Sequence, residues 1–222
     1  MDKKNWFDLM RSFGFSHNEE EFDMILKYYH ESHRKYHNIN HIKDCLEKCS
    51  LNEETRLNHE LHLAFWYHDI VYKPFKKNNE QKSADLATSF IKKQTDDHGM
   101  SDRVGNLIMA TLHNKEPKII DEAYMMDIDI SILGSNEETY IEYTKNIRKE
   151  YCLVPWFIYK KKRVEILEMF LRKDQLYHTE YFKSSLESSA RKNIQYEIEQ
   201  LKSATNIPVS YTHLTLPTNR EV

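Results

Sequence analysis

Apolar residues in this chain recur three and four positions apart, which is the spacing of one face of an amphipathic α-helix. Phe22, Ile25, Leu26 and Tyr29 form the first such stripe, and further stripes of the same period follow between residues 42 and 201. A half-buried β-strand would instead alternate apolar and polar residues. The sequence therefore predicts a succession of helices that share one core.

Glycine and proline are scarce, with only 4 and 5 residues among 222. Sandwiches and barrels need many tight turns, and those turns commonly contain one of these two residues. The glycines also lie far apart along the chain, which argues against a P-loop or a dinucleotide-binding fingerprint. We therefore expect an all-α, single-domain helical bundle, and the chain is long enough to bury a core without disulfides.

The charge balance narrows the range of partners. Lys and Arg total 32 and Asp and Glu total 35, for a formal net charge of −3. Without a strong field of one sign, we expect no stable binding to nucleic acid and none to an anionic membrane. No apolar run is long enough to span a bilayer, and the first residues lack the apolar segment of a signal peptide. The 3 cysteines are too few for a disulfide framework, so we expect a cytoplasmic protein.

The character of the sequence changes near its C-terminus. No helical period continues beyond Leu201, lysine disappears after Ser203, and threonine becomes frequent. The sequence predicts a domain over residues 1–202, followed by a tail over residues 203–222 that is disordered or foreign to the protein. We assign no functional role to this tail.

The dipeptide His68-Asp69 ends one of the apolar stripes. His68 follows Leu61 by seven residues and Ala64 by four, so its side chain is predicted to point inward. Asp69 lies about 100° further round the helix, partly inward as well. A carboxylate in such a place is costly unless it is paired, hydrogen-bonded or bound to a metal.

Other residues with the same chemistry lie upstream and downstream. His41 begins a predicted helix, and Asp127 and Asp129 lie within an apolar segment that ends at Gly134, a glycine typical of a helix C-cap. Two imidazoles and two carboxylates form a mixed nitrogen and oxygen donor set. Such a set suits Mn, Mg, Fe, Ni, Co or Zn with open positions for water, and is less typical of a closed structural zinc site.

Together these motifs resemble the HD superfamily of metal-dependent phosphohydrolases, and more narrowly a bacterial branch of it. The motifs are Tyr36-His37-Asn38-x-x-His41-Ile42, Ala64-Phe65-Trp66-Tyr67-His68-Asp69, Asn79-Glu80, and Asp127-x-Asp129 with Ile132-Leu133-Gly134. The resemblance covers roughly residues 4 to 201. One departure is Lys162-Arg163, where the family pattern leads us to expect Gly-Arg.

The resemblance implies that His41, His68, Asp69 and one later aspartate bind a divalent metal ion. Asp127 and Asp129 are about 200° apart on a helix, so both cannot face one site. Asp129 fits the family segment better and is our predicted ligand. Asp127 is retained as a neighbour of the ligands or a substrate contact.

The resemblance also implies a reaction in which a metal-activated water attacks phosphorus. We assign Glu80 and Asp69 to the catalytic set, with Glu80 moving a proton to or from the water and the leaving group. An equally good alternative to this catalytic role is that Glu80 stabilises a helix N-terminus.

Four further residues are candidates for the second coordination sphere or for substrate contact: His37, His113, Arg148 and Lys82. His37 precedes His41 by four residues and is a candidate for orienting the site. His113 has an alternative role at a helix C-terminus, where the dipole favours a histidine. Arg148 has an alternative role in a structural ion pair, and Lys82 is alternatively a solvated surface lysine.

We therefore expect a hydrolase that cleaves a phosphate ester or anhydride of a small phosphorylated molecule, with a nucleotide as one candidate. One alternative is a non-catalytic sensor module of the same fold that binds metal and nucleotide. Another is a metal site that only stabilises the bundle. Trp156 and Phe157, which follow Pro155, leave room for a homodimer.

Overall fold

The structure is a computed structural model that describes residues 3–203. Those residues form α-helices joined by short connections, with one 3-10 helix and no strand. The helices are α1 (Lys3–Ser12), α2 (Glu19–Tyr29), α3 (Ile39–Leu51), α4 (His59–Tyr67), α5 (Asn79–Gln94), α6 (His98–Ala110), α7 (Ile120–Asp129), the 3-10 helix (Ile130–Gly134), α8 (Glu137–Glu150), α9 (Trp156–Leu171) and α10 (Glu180–Ser203). The predicted all-α class is confirmed.

Of the predicted tail, Ser203 forms the end of α10, and residues 204–222 lie outside the described residues. Within residues 3–203, no helix is both long enough and apolar enough to cross a membrane.

Several helices begin at a side chain that caps their free backbone amides. The side-chain carbonyl oxygen of Asn38 accepts a hydrogen bond from the backbone amide of Asn40 at the start of α3. Asn58 and Asn136 do the same at the starts of α4 and α8. Each cap satisfies an amide that has no partner within its own helix, and this fixes where the helix begins.

Helix α4 lies at the centre of the first half of the fold. It packs against α1, α3, α5, α6 and α7, and its last residues, from Leu63 to Tyr67, are all buried. The apolar stripe predicted only one buried face for this segment. A helical segment that is apolar on all sides must be buried on all sides. This burial places the residues that follow Tyr67 deep in the protein.

A buried ion pair joins the later helices. Arg163 of α9 donates through Nε to Glu197 of α10 at 2.7 Å, and Tyr140 of α8 donates its hydroxyl to the same carboxylate at 2.6 Å. Burial of a charge is tolerated when it is paired and hydrogen-bonded in this way. The cluster therefore fixes α8, α9 and α10 relative to one another.

Gly134 has a different role from the one predicted. Its φ does not lie in the left-handed region, and it ends the 3-10 helix where that helix meets α10. A Cβ atom at this position would lie 2.6 Å from Cβ of Leu186. The absence of a side chain therefore permits close packing of the 3-10 helix on α10, whereas the sequence predicted a helix C-cap.

Candidate metal centre

Four side chains from three separate segments meet at the C-terminal end of α4. His41 lies in the first turn of α3, His68 and Asp69 directly follow α4, and Asp129 is the last residue of α7. Nε2 of His41 lies 3.2 Å from Nε2 of His68 and 3.2 Å from Oδ1 of Asp129. Oδ2 of Asp69 lies 3.3 Å from Nε2 of His68. The structure thus brings together the four residues predicted as ligands.

The spacing of these donor atoms can be compared with the needs of a single cation. Two further separations are 3.5 Å, from Nε2 of His68 to Oδ1 of Asp129, and 3.6 Å, from Nε2 of His41 to Oδ2 of Asp69. Donors about 2.1 Å from one ion lie about 3.4 Å apart in a tetrahedron and about 3.0 Å apart at the right angles of an octahedron. The observed values, between 3.2 and 3.6 Å, fit a common divalent ion.

The donors differ in their access to solvent. His41 and His68 are buried, with 4% and 1% of their surface exposed, whereas 17% of each Asp69 and Asp129 side chain is exposed. The imidazoles therefore form the inner wall of the site. The carboxylates form the side of the site that is more open to water or a small molecule.

Hydrogen bonds orient two of the donors. Nδ1 of His68 lies 2.9 Å from the Phe65 carbonyl oxygen, which leaves Nε2 facing the cluster. Nε2 of His113 lies 2.9 Å from Oδ2 of Asp129, which is the carboxylate oxygen that does not face the imidazoles of His41 and His68. Supporting contacts of this kind fix the orientation of metal-binding histidines and carboxylates.

His113 itself has a positive φ of 51° after the end of α6, an uncommon conformation for a residue other than glycine. The structure places it beside the site, in contact with the carboxylate of the candidate ligand Asp129.

The carboxylates of the cluster favour positive charge on the groups around them. Burial acts to lower the pKa of His68, but the nearby charges of Asp69 and Asp129 outweigh it and raise that pKa to about 9. Burial acts to raise the pKa of Asp129, but hydrogen bonds to His113, His41 and His68 hold it well below its ordinary value. In the absence of a cation, a proton on His68 helps to balance the carboxylates. A divalent ion would take over that role, so metal binding should release protons.

Cys45 competes with Asp69 as a member of the donor set. Donor atoms of His41, Cys45, His68 and Asp129 all lie within 4.8 Å of one another. Burial raises the pKa of the Cys45 thiol well above its ordinary value, and the thiolate is the form that binds metals. Oδ2 of Asp69 is also closer to the imidazoles than the sulfur, which lies 3.8 Å from His41. We therefore favour Asp69 as the fourth ligand and interpret Cys45 as a packed thiol.

Arg34 ties the two histidine segments together and was not singled out from the sequence. Its guanidinium donates to the carbonyl oxygens of His37 at 3.0 Å, Asp69 at 2.6 Å and Ile70 at 2.7 Å, and to the carboxylate of Glu31 at 3.0 Å. Its side chain is fully buried. Its position two residues before the Tyr36-His37 motif was the only sign of this role in the sequence.

Glu150 organises the loop before α3. Its buried carboxylate accepts from the backbone amides of Lys35, Tyr36 and His37, from Nδ1 of His37 at 2.7 Å and from the Tyr72 hydroxyl at 2.8 Å. Burial favours its neutral form, but the hydrogen bonds and charge of His37 and the backbone amides hold its pKa at about 2. Burial likewise disfavours the charged form of His37, but Glu150 and the charges of the site raise its pKa.

His37 thus lies beside the candidate centre. Its ring centroid is 6.1 Å from that of His41, and its ring stacks on Tyr72 at 4.1 Å.

Asp127 is directed away from the cluster. It is fully buried, and its carboxylate accepts from the backbone amides of His178 and Thr179 and from the Thr179 hydroxyl at 2.7 Å. Its oxygens are therefore occupied in holding the segment that leads into α10. We therefore interpret Asp127, predicted as a neighbour of the ligands or a substrate contact, as a structural residue.

Three further candidates have distinct locations. The guanidinium of Arg148 donates to the carbonyl oxygens of Tyr151 and Val154 just beyond α8, which favours a structural role at the end of that helix over the predicted contact with substrate. Lys82 is exposed on α5. Glu80 lies half-buried in the first turn of the same helix. Burial raises its pKa, and the charges of Asp69 and Asp129 add to that effect.

None of the family models, curated proteins or solved structures compared with this chain matches it. The candidate site therefore rests on the donor atoms described above.

Proposed function

We propose that this chain is a metal-dependent phosphohydrolase of the HD type, which cleaves a phosphate ester or anhydride of a small phosphorylated molecule. The observation that carries the proposal is the convergence of His41, His68, Asp69 and Asp129 at separations suited to one divalent ion. The order of these residues along the chain is that of the HD motif set.

The donor chemistry supports a hydrolytic site. A divalent ion held there would supply a Lewis acid that polarises a phosphoryl oxygen and lowers the pKa of water. The partly exposed carboxylates of Asp69 and Asp129 form the open side of the site, from which a phosphate group could enter. His113 holds the outer oxygen of Asp129 and so keeps the inner oxygen directed at the imidazoles.

Glu80 is the proposed proton-transfer residue. Burial and the two ligand carboxylates raise its pKa, and a raised pKa lets a carboxyl group exchange protons closer to neutral pH. In the proposed role, its carboxylate accepts a proton from the attacking water and returns it to the leaving oxygen. Asp69 belongs to the same catalytic set through its position as a ligand.

The test is a panel of phosphate esters and nucleotides, supplied in turn with Mn, Mg, Ni, Co and Zn. The variants His68→Ala and Asp69→Ala should lose phosphate release together with metal binding. Glu80→Gln should retain metal binding but lose most turnover, by the factor of about 10² to 10⁴ typical of a general acid or base. The exposed Asp85→Asn is the control on the same helix for a nonspecific loss of negative charge.

Phosphate release that persists undiminished in His68→Ala and Asp69→Ala would refute the proposed mechanism. Metal binding without phosphate release under any metal would favour the sensor module over the hydrolase.

A further inference from the structure

A cavity of about 500 Å³ lies between α8, α9 and the segment that follows His68. Its apolar walls include Phe75, Tyr143, Ile147, Tyr151, Ile158 and Ile166. Cavities of this size commonly hold small organic ligands, and mainly apolar walls are typical of such sites.

The cavity adjoins the candidate metal centre. His37 lines it, and the His37 ring centroid is 6.1 Å from that of the ligand His41. Tyr143, another lining residue, packs at 4.7 Å on Tyr36, whose ring lies 4.8 Å from His41. One wall of the cavity is therefore built from residues that also surround the metal centre.

The charged residues of the lining already have partners. Arg163 is paired with Glu197 at 2.7 Å and donates to the Tyr143 hydroxyl at 3.2 Å. Lys162 is paired with Glu165 at 2.7 Å. An apolar group could occupy the cavity and leave these contacts intact.

The edge of the cavity is apolar and open to solvent. Phe75, Ile158 and Ile166 retain 62%, 42% and 45% of their surface exposed. Covering these side chains with an apolar group would be favourable, at about 25 cal/mol per Å² of apolar surface removed from water.

We infer that the cavity binds an aromatic or branched apolar group attached to the phosphate that reacts at the metal centre. This inference rests on the proposed function and narrows its substrate class to apolar phosphate esters, of the size of a naphthyl phosphate. Polar esters such as glycerol phosphate would leave the cavity walls exposed.

The inference is tested with a variant that fills the cavity. Ile166→Trp adds bulk at the edge, and Ile158→Trp does so at a second position. Met169→Trp is the matched control, because Met169 lies on the same helix with a similar exposure of 42% and does not line the cavity. Both tested positions are partly exposed, which limits the effect of the larger side chain on folding.

Two measurements separate the inference from the proposed function. The first is equilibrium binding of the non-hydrolysable 1-naphthylmethylphosphonate to chelator-treated protein. We expect binding to the parent chain and to Met169→Trp, and about tenfold weaker binding to both cavity variants. The second is the ratio of kcat/KM for 1-naphthyl phosphate to that for glycerol phosphate, which should exceed about tenfold in the parent chain and fall in both cavity variants.

Equal phosphonate binding by the parent chain and both cavity variants would overturn the inference. Hydrolysis of both esters at equal kcat/KM would also overturn it, while leaving the proposed function intact. Phosphonate binding that both cavity variants weaken, without phosphate release under any metal, would support the cavity assignment and refute the hydrolase.

Discussion

Glu150→Gln is the substitution that most sharply tests how the loop before α3 is held. The carboxylate accepts three backbone amides through one oxygen, and Nδ1 of His37 and the Tyr72 hydroxyl through the other. Glutamine keeps one acceptor oxygen for the amides. Its amide nitrogen, however, replaces the oxygen that His37 and Tyr72 use, and the negative charge is lost.

The expected magnitude follows from the carboxyl group's own titration. A glutamate whose pKa falls from an ordinary 4.5 to about 2 on folding contributes about 3 kcal/mol to the free energy of unfolding at neutral pH. Because glutamine preserves the three amide contacts, the substitution should cost about 2 to 3 kcal/mol rather than more.

The assay is urea unfolding of both proteins between pH 3 and 8, with a chelator present so that metal binding does not contribute. The pKa of Glu150 is lowered on folding, so its stabilisation is complete above pH 4.5 and is lost as the pH falls toward about 2. The pKa of His37 is raised above 6.5, so the charge pairing is complete below pH 6.5 and is lost as the pH rises through that raised value. The difference in unfolding free energy should therefore be largest between pH 4.5 and 6.5.

The control is Glu142→Gln on the same helix, where the carboxylate is 57% exposed and pairs loosely with Lys149. It should change the unfolding free energy by less than about 0.5 kcal/mol. A cost for Glu150→Gln that is equally small, or that does not vary with pH, would refute the reasoning.

Other substitutions address the remaining parts of the fold and site. Asp127→Asn should lower the unfolding free energy by about 1 to 3 kcal/mol, because it weakens the contacts to His178 and Thr179, yet leave metal affinity unchanged by calorimetric titration. Arg34→Met should reduce both the unfolding free energy and the metal affinity, because the carbonyl oxygen of Asp69 loses its donor. Unchanged metal affinity would contradict the positioning role of Arg34. Arg163→Met should lower stability in urea by about 3 to 5 kcal/mol because it leaves a carboxylate buried without its partner, and equal stability would argue against that ion pair.

The helical class could be predicted because its signal is local. Phe22, Ile25 and Tyr29 follow the helical period and are buried as that period predicts. The same local signal failed for the end of α4, where the burial of Leu63 to Tyr67 on every side depends on the helices around it. Gly134 was misassigned for a similar reason, since the close approach of Leu186 involves a segment about fifty residues away along the chain.

The candidate ligands could also be predicted from the sequence. His41, His68, Asp69 and Asp129 combine metal-binding side chains with apolar surroundings, which is costly without a ligand or partner. The angle between residues two apart on a helix showed that Asp127 and Asp129 could not both face one site, and the resemblance to the HD superfamily favoured Asp129. What Asp127 contacts could not be anticipated, because His178 and Thr179 carry no local pattern that points to it.

The supporting residues could not be predicted from the sequence. Arg34 bonds to Asp69 and Ile70 across about 35 residues, and Glu150 bonds to the His37 loop across more than a hundred. Charged residues are mostly exposed, so a single sequence favours a surface position for both. Only the packing of α8 and of the loops around α4 shows that they are buried.

The central claim is that His41, His68, Asp69 and Asp129 bind a divalent metal ion. Calorimetric titration of chelator-treated protein with Mn²⁺ and Zn²⁺ tests it most directly, with His68→Ala, Asp129→Asn and the control Asp127→Asn compared under the same conditions and checked for folding by circular dichroism. We predict saturable binding by the parent chain and by Asp127→Asn, and a loss of affinity of at least about 100-fold in His68→Ala and Asp129→Asn. Equal affinity in all four proteins would contradict the account.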